Sequence, residues 1–478
     1  MSSSASSAAP ATTASSRIGS SFRDPSGFLF TRDGVLLRQV QERYRRHYDL
    51  LHSSGLYDAL VSAELLVPHE ERPLSEAATD GAAFVLRPER LPFVSMPYEW
   101  SFGQRRSAAL LTLRLQEIAM THGMTLKDAS AFNVQFRGVR PVLLDTLSFE
   151  MLVEGEPWVA YRQFCQHFLA PLALQSRVDI RLGHLLRQHL DGVPLDLASK
   201  MLSRRSWLSP ALLLHLHLHA RSIAQHAATS GRAAATERAQ VAKARVSKRG
   251  LEGLISHLKS AVEGLRWRPA GTEWGAYEET HNYDAAERKT KHALVAYFVS
   301  RAKAERVLDL GANAGEYSRV ARGAGASLVV AADGDPVAVE RAFQRFTDSG
   351  ETGIHPLWVD LTNPSPSQGW DHTEWPSLAA RGPFDAVLAL ALVHHLAIGN
   401  NVPLDGVAAM LARLGRAVII EWVPKSDPQA QRLLLAREDI FSSYSEDSLR
   451  AAFERVGLKQ QLREEVRDSG RTLHLFSP

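Results

Sequence analysis

The feature that most constrains this chain is a short apolar segment followed at once by a turn of small residues. Val307 to Leu310 reads VLDL, and residues 311–315 read GANAG. Glycine has no Cβ, so the backbone can bend sharply here and approach a ligand closely. A helix is predicted to begin near Glu316, and its first turn offers free N–H groups. The pattern therefore predicts a strand, a tight turn and a helix whose N-terminus faces a ligand.

The alternation of strands and helices continues through the whole C-terminal part of the chain. This order is typical of a doubly wound, mostly parallel α/β sheet that binds ligands at the carboxyl ends of its strands. The strands that we predict are Arg306–Leu310, Leu328–Asp333, Ile354–Asp360, Phe384–Leu390, Arg416–Glu421 and Arg471–Phe476.

Two acidic residues at the ends of neighbouring strands indicate which nucleotide is bound. Asp333 follows the turn by about twenty residues, where a carboxylate can accept both hydroxyls of a ribose. Asp309 stands just before the turn, where its charge would repel a pyrophosphate but suits the ammonium group of a methionine moiety. These residues favour S-adenosylmethionine (SAM) over a dinucleotide, although both carboxylates can also be interpreted as helix caps. Asp335 is predicted to cap the helix that begins at Pro336.

The segment from Asp309 to Gly315 resembles the first motif of class I SAM-dependent methyltransferases, with Asn313 in place of the middle glycine. Phe384 to Leu390 resembles the fourth strand of that family. The resemblance implies a Rossmann-like, seven-stranded methyltransferase sheet, with Asp360 near the adenine amino group; a simple loop turn is the alternative for Asp360. The cofactor-binding residues that it implies are Asp309, Gly311, Asn313, Gly315, Asp333, Asp360, Tyr277 and Tyr283.

More narrowly, two segments resemble nodulation-type methyltransferases. They are the front segment with Trp274, Tyr277 and Tyr283, and the run WVPKSDPQAQRL over residues 422–433. With the motifs above, the resemblance covers residues 272–478, and it implies methyl transfer from SAM to an oxygen or nitrogen atom.

Three residues at the predicted site are candidates for chemistry. Methyl transfer to oxygen or nitrogen requires the loss of a proton, which a histidine can accept. His394 and His395 follow the fourth strand, and Glu421 ends the fifth strand at the same edge. The alternatives are that the histidines shape the pocket floor and that Glu421 is a structural carboxylate.

Composition narrows the class of acceptor. The formal charge is +3, and the one cysteine, Cys165, lies outside the C-terminal part. A nucleic-acid acceptor is therefore not expected, which leaves a small-molecule, sugar or peptide acceptor.

The sequence contains no long apolar run and cannot form an internal disulfide. We therefore predict a cytoplasmic protein that does not enter membranes. No metal site is expected. The candidate ligands are His215, His217 and His219, and only two of these three histidines share a face of a helix. No oligomeric state is predicted.

A second, weaker pattern lies in the N-terminal part. Asp128 and Asn133 are followed by a short strand that ends at Asp145. This spacing resembles the catalytic loop and metal-binding aspartate of kinase-like phosphotransferases. The glycine-rich phosphate loop is absent, and Arg38 is a poor substitute for the usual lysine. The resemblance implies a degenerate kinase-like domain; the alternative is an unrelated α+β domain in which these residues cap turns.

We therefore predict four segments. They are a disordered tail over residues 1–21, an α+β domain over 22–228, a basic helical linker over 229–271 and the methyltransferase domain over 272–478. The N-terminal domain is expected to assist substrate recognition. Two alternatives are that it also transfers phosphoryl groups from ATP, and that the protein binds SAM without catalysis. Within it we predict a strand pair turned at Asp33-Gly34 and a helix over Gln39–Leu51.

Overall fold

Two β-sheets, one near each end of the chain, organise the structure. The computed structural model describes residues 16–228, 245–269, 285–435 and 438–478. The N-terminal sheet is antiparallel, in the order β1-β2-β3-β5-β4. Its strands are β1 (Ser16–Arg17), β2 (Gly27–Arg32), β3 (Val35–Gln41), β4 (His69–Arg72) and β5 (Ala82–Pro88).

The hairpin between β2 and β3 turns where the sequence predicts. Asp33 and Gly34 have φ angles of 52° and 78°, the left-handed pair that a two-residue hairpin turn requires. The helix predicted over Gln39–Leu51 is wrong at its start, because the chain stays extended to Gln41. A 3-10 turn over Glu42–Tyr44 then leads into the α-helix Arg45–Ser53. Gln39 is fully buried. Its amide bonds the backbone at Thr79, a polar pairing that a hydrophobic pattern does not reveal.

Helices and two short strand pairs complete the N-terminal part. The strand pairs are β6 (Met124–Leu126) with β9 (Phe149–Met151), and β7 (Val134–Arg137) with β8 (Arg140–Leu143). The α-helices are Arg45–Ser53, Leu56–Ser62, Phe102–Thr121, Tyr161–Phe164, Ala170–Arg177, Leu185–Gln188, Leu195–Met201, Pro210–Leu212 and His219–Ala228. Wider π-helical turns continue two of them, over Cys165–Leu169 and Leu213–Leu218.

The helix Lys248–Gly264 lies within the predicted linker, but it is not a solvated connector. Ser247 caps it, and its apolar face is buried at Leu251, Ile255 and Leu258. These residues belong to the same hydrophobic cluster as the long helix Phe102–Thr121. The repeat of large apolar residues every three or four positions is the signal of a packed helix.

The C-terminal sheet has seven strands among the described residues. Its order is β12-β11-β10-β13-β14-β16-β15, and only β16 and β15 add antiparallel pairs. The strands are β10 (Arg306–Leu310), β11 (Leu328–Asp333), β12 (Ile354–Trp358), β13 (Phe384–Ala389), β14 (Gly415–Trp422), β15 (Lys459–Glu465) and β16 (Thr472–Ser477). The α-helices are Ala285–Arg301, Glu316–Gly323, Pro336–Asp348, Leu404–Leu414, Pro428–Leu434 and Glu446–Arg455.

The central strands are mostly apolar because helices cover both faces of the sheet, and their charged residues include Asp309 in β10 and Glu421 in β14. This composition makes them predictable, and the observed bounds of β10 and β11 are those expected. Strand β15 was missed. Its sequence, KQQLREE, is polar and half exposed at the sheet edge, where exposed polar side chains are ordinary.

Buried contacts join the N-terminal part to the C-terminal sheet. Arg381 forms a two-pronged salt bridge with Glu99, with Nη1 2.8 Å from Oε2, and both side chains are at most 4% exposed. The Gly103 N–H donates to Glu340 at 2.8 Å. The ring of Phe132 stacks on Trp375 with centroids 4.3 Å apart. One hydrophobic cluster contains residues of both parts.

We predict that Glu99→Gln destabilises the protein through the charge it leaves unpaired. Removing one partner of a buried ion pair leaves the other charge uncompensated, which costs about 3–5 kcal/mol in the free energy of unfolding. The matched control is Asp405→Asn, because its salt bridge with Arg455 is exposed and is worth less than about 1 kcal/mol. Chemical denaturation of the full chain measures both, and equal losses would contradict the prediction.

Candidate active site

A cavity of about 650 Å³ opens at the carboxyl ends of the parallel strands, where the sequence places the ligand. Five of the predicted site residues line it: Gly311, Asn313, Asp333, Asp360 and His395. Four others, Asp309, Gly315, His394 and Glu421, are not among its lining residues. The predicted residues therefore divide into those on the cavity wall and those behind it.

The wall is built by the turn after β10 and the end of β11. The Asn313 N–H donates to Asp333 Oδ2 at 2.8 Å, and the Asp335 N–H donates to Asp333 Oδ1 at 2.8 Å. Asn313 has a φ of 50°, a left-handed conformation that asparagine tolerates better than most residues. This explains why asparagine can stand at a position usually held by glycine. Asp335 caps the helix Pro336–Asp348, as predicted.

The two glycines of the turn have different tasks. A Cβ added to Gly311 would meet only Leu392 Cδ1, at 3.5 Å, so this glycine presents bare backbone to the cavity. A Cβ added to Gly315 would lie 2.2 Å from Phe346 Cζ. Gly315 therefore lets the helix Glu316–Gly323 pack against the neighbouring helix, behind the cavity.

Asp309 is turned away from the cavity and under the helix. It is 1% exposed, and its Oδ2 accepts a hydrogen bond from Ser318 Oγ at 2.6 Å. Burial raises the pKa of Asp309 to about 6, while the Ser318 hydroxyl opposes this shift. In this structure Asp309 braces the turn rather than lining the ligand space.

Asp333 is also shifted, but it faces the cavity. Burial raises its pKa to about 6, opposed by the backbone N–H groups of Asp335 and Asn313. Asp360 lines the same cavity, and its Oδ1 accepts bonds from the N–H and hydroxyl of Thr362. Asp360 therefore shapes a loop turn and faces the ligand space at once, so its two sequence interpretations are compatible.

The two histidines after β13 have different surroundings. His395 lines the cavity, and burial lowers its pKa to about 4. His394 is 1% exposed, and burial, helped by His395 and Arg471, lowers its pKa to about 2. The rings lie 4.0 Å apart. Both imidazoles are therefore neutral at physiological pH, and both are weaker bases than an exposed histidine.

Glu421 belongs to a buried ion network that sequence reasoning missed. Its carboxylate lies 2.6 Å from Lys291 Nζ and 3.3 Å from Arg471 Nη1. Arg471 Nε also donates to Asp427 at 2.7 Å. Burial lowers the pKa of Lys291, and the Glu421 carboxylate opposes this shift. No local motif marks this network, because its members come from distant parts of the chain.

Tyr277 and Tyr283, with Trp274, lie outside the described residues. Their predicted contact with the cofactor stays a prediction. No group of three potential metal ligands occurs in the described ranges, and no helix there is long and apolar enough to cross a membrane.

The N-terminal pattern is also brought together in space. Asp128 is partly held by Asn133 and Gln163, and burial, followed by the nearby charge of Asp145, raises its pKa. Asp145 caps the turn Thr146–Ser148. Arg38 reaches Asp145 at 2.5 Å. The three residues thus meet, but a guanidinium group already engages the aspartate predicted to bind metal.

Comparisons with known proteins match both the C-terminal part and the chain as a whole. A family model described as a methyltransferase domain matches residues 280–461. The nodulation protein NoeA of Rhizobium meliloti (strain 1021) is 37% identical over 439 residues, which is 91% of each chain.

Several solved structures also match, each over less than half of this chain. The bifunctional kinase-methyltransferase WbdD is 18% identical over 42% of this chain and 41% of its own, with a TM-score of 0.30. The N-methyltransferase NodS from Bradyrhizobium japonicum WM9 is 14% identical over 40% of this chain and 97% of its own, also with a TM-score of 0.30.

The chain is a methyltransferase, and its methyl donor is SAM. It belongs to the family of the nodulation protein NoeA, because the identity of 37% extends over nearly the whole of both chains.

We predict that Gly315→Ala destabilises the fold. Its φ of 80° disfavours any side chain, and the new Cβ would collide with the buried ring of Phe346. Together these effects cost about 2–5 kcal/mol in the free energy of unfolding. Gly323→Ala is the matched control, since nothing lies within 4 Å of its added Cβ and alanine favours a helix by about 1 kcal/mol. Urea denaturation would contradict this prediction if both variants behaved alike.

Proposed function

We propose that the cavity at the strand ends holds SAM and that the protein transfers its methyl group to an oxygen or nitrogen atom of a small-molecule, sugar or peptide acceptor. The observation that supports this most is that the Asp333 carboxylate and the bare backbone of Gly311 line the same cavity. A carboxylate suits a ribose diol, and a glycine admits a flat or bulky ligand against the backbone. The cavity volume of about 650 Å³ is that of a small-molecule site.

The residues on the wall have direct roles in this proposal, and those behind it have supporting roles. Asp333 accepts the ribose hydroxyls, Asp360 meets the adenine amino group, and Gly311 and Asn313 supply backbone contacts. Asp309 and Gly315 fix the shape of the turn from behind. Tyr277 and Tyr283 are proposed to close the front of the cavity, on the strength of the family resemblance.

Bound SAM supplies a methyl group made electrophilic by its positive sulfur. The protein then has to align the acceptor with that methyl group and exclude water, and these effects provide most of the rate. Leu390, Leu392 and Leu396 line the cavity, so much of its wall is apolar. Such a wall favours a dry site around the transferred group.

We propose His395, on the cavity wall, as the group that accepts the proton of the acceptor. Burial lowers its pKa to about 4, so the imidazole is neutral but a weak base, and it accepts the proton only after methylation has made the acceptor group more acidic. His394 lies behind it and orients its ring. Glu421, bound between Lys291 and Arg471, acts as a positioning residue, because two cations compensate the charge that a general base would use.

The N-terminal cluster favours a structural role over phosphoryl transfer. The Asp145 carboxylate pairs with Arg38, and its Oδ1 also accepts the Leu147 N–H at 2.9 Å. Arg38 is in turn 3.3 Å from Asp24. A metal ion would have to displace the guanidinium group from Asp145 before it could bind there.

We predict that Asp333→Asn weakens binding of S-adenosylhomocysteine by about 10–100-fold, the value of a hydrogen bond to a charged group. Isothermal titration calorimetry measures this. In the native protein the affinity for S-adenosylhomocysteine should be about tenfold lower at pH 5 than at pH 7. Asp333 gains a proton as the pH falls through about 6 and then no longer carries the charge that accepts the ribose hydroxyls. Asp348→Asn, at the far end of the helix, is the control and should bind normally. Unchanged affinity in Asp333→Asn would remove Asp333 from the site.

We predict that His395→Gln lowers the rate of methyl transfer from labelled SAM into a responsive cell-extract fraction by about 10²–10⁴-fold. Glutamine keeps a polar group but cannot take up the proton. Affinity for S-adenosylhomocysteine should stay within about twofold, since the ring is not expected to bind the nucleoside. His189→Gln, which does not line the cavity, should retain full activity. If His395→Gln stays fully active, the proton acceptor lies elsewhere.

A further inference from the structure

A second cavity, of about 510 Å³, lies between the N-terminal part and the C-terminal sheet. Its N-terminal wall is formed by Tyr98 and by residues between 181 and 188, and its C-terminal wall by residues between 358 and 368. Val359 and Asp360 line both this cavity and the one at the strand ends. Cavities between domains are common places for small ligands.

Two polar atoms on its walls are buried without a hydrogen-bond partner among the described residues. One is the hydroxyl oxygen of Tyr98, whose side chain is 1% exposed, and the other is Gln368 Oε1. The amide nitrogen of Gln368 is engaged, because it donates to the Arg187 carbonyl at 3.0 Å. Buried polar atoms are nearly always paired, and an unpaired one costs stability. A hydroxyl donor and an amide acceptor on residues that line the cavity are therefore without a partner, and both atoms are covered from solvent in this structure.

The charges around this cavity favour a neutral ligand. Arg187 donates to the carbonyl and side-chain oxygens of Asn363 and to the Pro364 carbonyl. Arg181 forms a two-pronged pair with Asp179. Both guanidinium groups are thus engaged, and the Asp360 carboxylate adds a negative charge to the wall. A phosphate would gain little from such a lining.

Aromatic rings supply the apolar part of the wall. The ring of His184 lies 3.8 Å from that of Trp358, and both residues line the cavity. Burial lowers the pKa of His184 to about 4, helped by Arg105 and Arg187, so the imidazole is neutral. Aromatic faces pack well against C–H groups while polar atoms nearby bond hydroxyls. Sugars and cyclic polyols carry both kinds of surface.

We propose that this interdomain cavity is a second binding site, which takes a neutral, hydroxyl-rich small molecule such as a monosaccharide or a cyclic polyol. Tyr98 donates a hydrogen bond to the ligand, Gln368 accepts one, and Trp358 with His184 packs against its C–H face. The site adjoins the proposed site of methyl transfer, with which it shares Val359 and Asp360, but none of the three contacts proposed here is made by those two residues.

The test uses thermal unfolding of the full chain with D-glucose, D-galactose or myo-inositol, each at about 20 mM. At least one of them should raise the unfolding midpoint by about 2 °C or more. Tyr98→Phe removes only the hydroxyl oxygen and should abolish that rise. Without ligand, its midpoint should equal or exceed that of the native protein, because no hydrogen bond is lost. Tyr297→Phe, at an exposed tyrosine outside the cavity, is the matched control and should behave like the native chain.

A second variant, Gln368→Met, removes the acceptor at similar length and should also abolish the rise. Equal rises in the native protein and in Tyr98→Phe would mean general stabilisation by solutes and would overturn the proposal. So would the absence of any rise, a lower midpoint of Tyr98→Phe without ligand, or a larger rise with glucose 6-phosphate than with glucose. Titration of Tyr98→Phe with S-adenosylhomocysteine should remain normal, which separates this proposal from the proposed function.

Discussion

The hydrogen bond from the Asn313 N–H to the Asp333 carboxylate connects two neighbouring strand ends, and the geometry of the cavity depends on it. The parallel register of β10 and β11 pairs Leu310 with Ala332, which brings the turn directly beside Asp333. Side chains alternate between the two faces of a sheet, so a slip of one residue would turn Asp333 away. The buried apolar residues of both strands fix this register. The position of Asp333 on the cavity wall therefore depends on the packing of these apolar residues in the core of the sheet.

How much the sequence predicts depends on how local each signal is. Strands β10 and β11 were predicted with their observed bounds, because each is a mostly apolar run that ends at a glycine turn or at an acid. Gln39 misled the prediction, since a buried polar residue paired with distant backbone resembles an exposed helical one. Strand β15 was missed because half-exposed polar residues carry no period-two signal. In each failure the deciding partner lies elsewhere in the chain.

The same distinction holds for the site. Asp333 and Gly311 follow from spacing within one βα unit, but the network of Lys291, Glu421 and Arg471 joins three distant elements. Buried ion pairs often contribute little net stability, because the desolvation of both charges offsets their attraction. Their value here is electrostatic: the positive charge of Arg471 adds to burial in lowering the pKa of His394 and His395. At His394 the Glu421 carboxylate opposes this shift, but Arg471 contributes more, so the network on balance helps to keep both imidazoles neutral.

The N-terminal part completes the C-terminal sheet rather than merely adjoining it. Strand β12 is the edge of that sheet, and edge strands expose backbone groups that invite pairing with other chains. Pro356 in its middle has no N–H to leave unpaired, and its carbonyl accepts a hydrogen bond from Gln104 Nε2 at 3.1 Å. The first turn of the helix that carries Gln104 thus contacts this edge, and the buried Glu99–Arg381 bridge joins the segment just before that helix to the C-terminal part. Strand β12 ends at Trp358, immediately before Val359 and Asp360, which line both cavities. The N-terminal part therefore supports the cavity at the strand ends from outside the sheet.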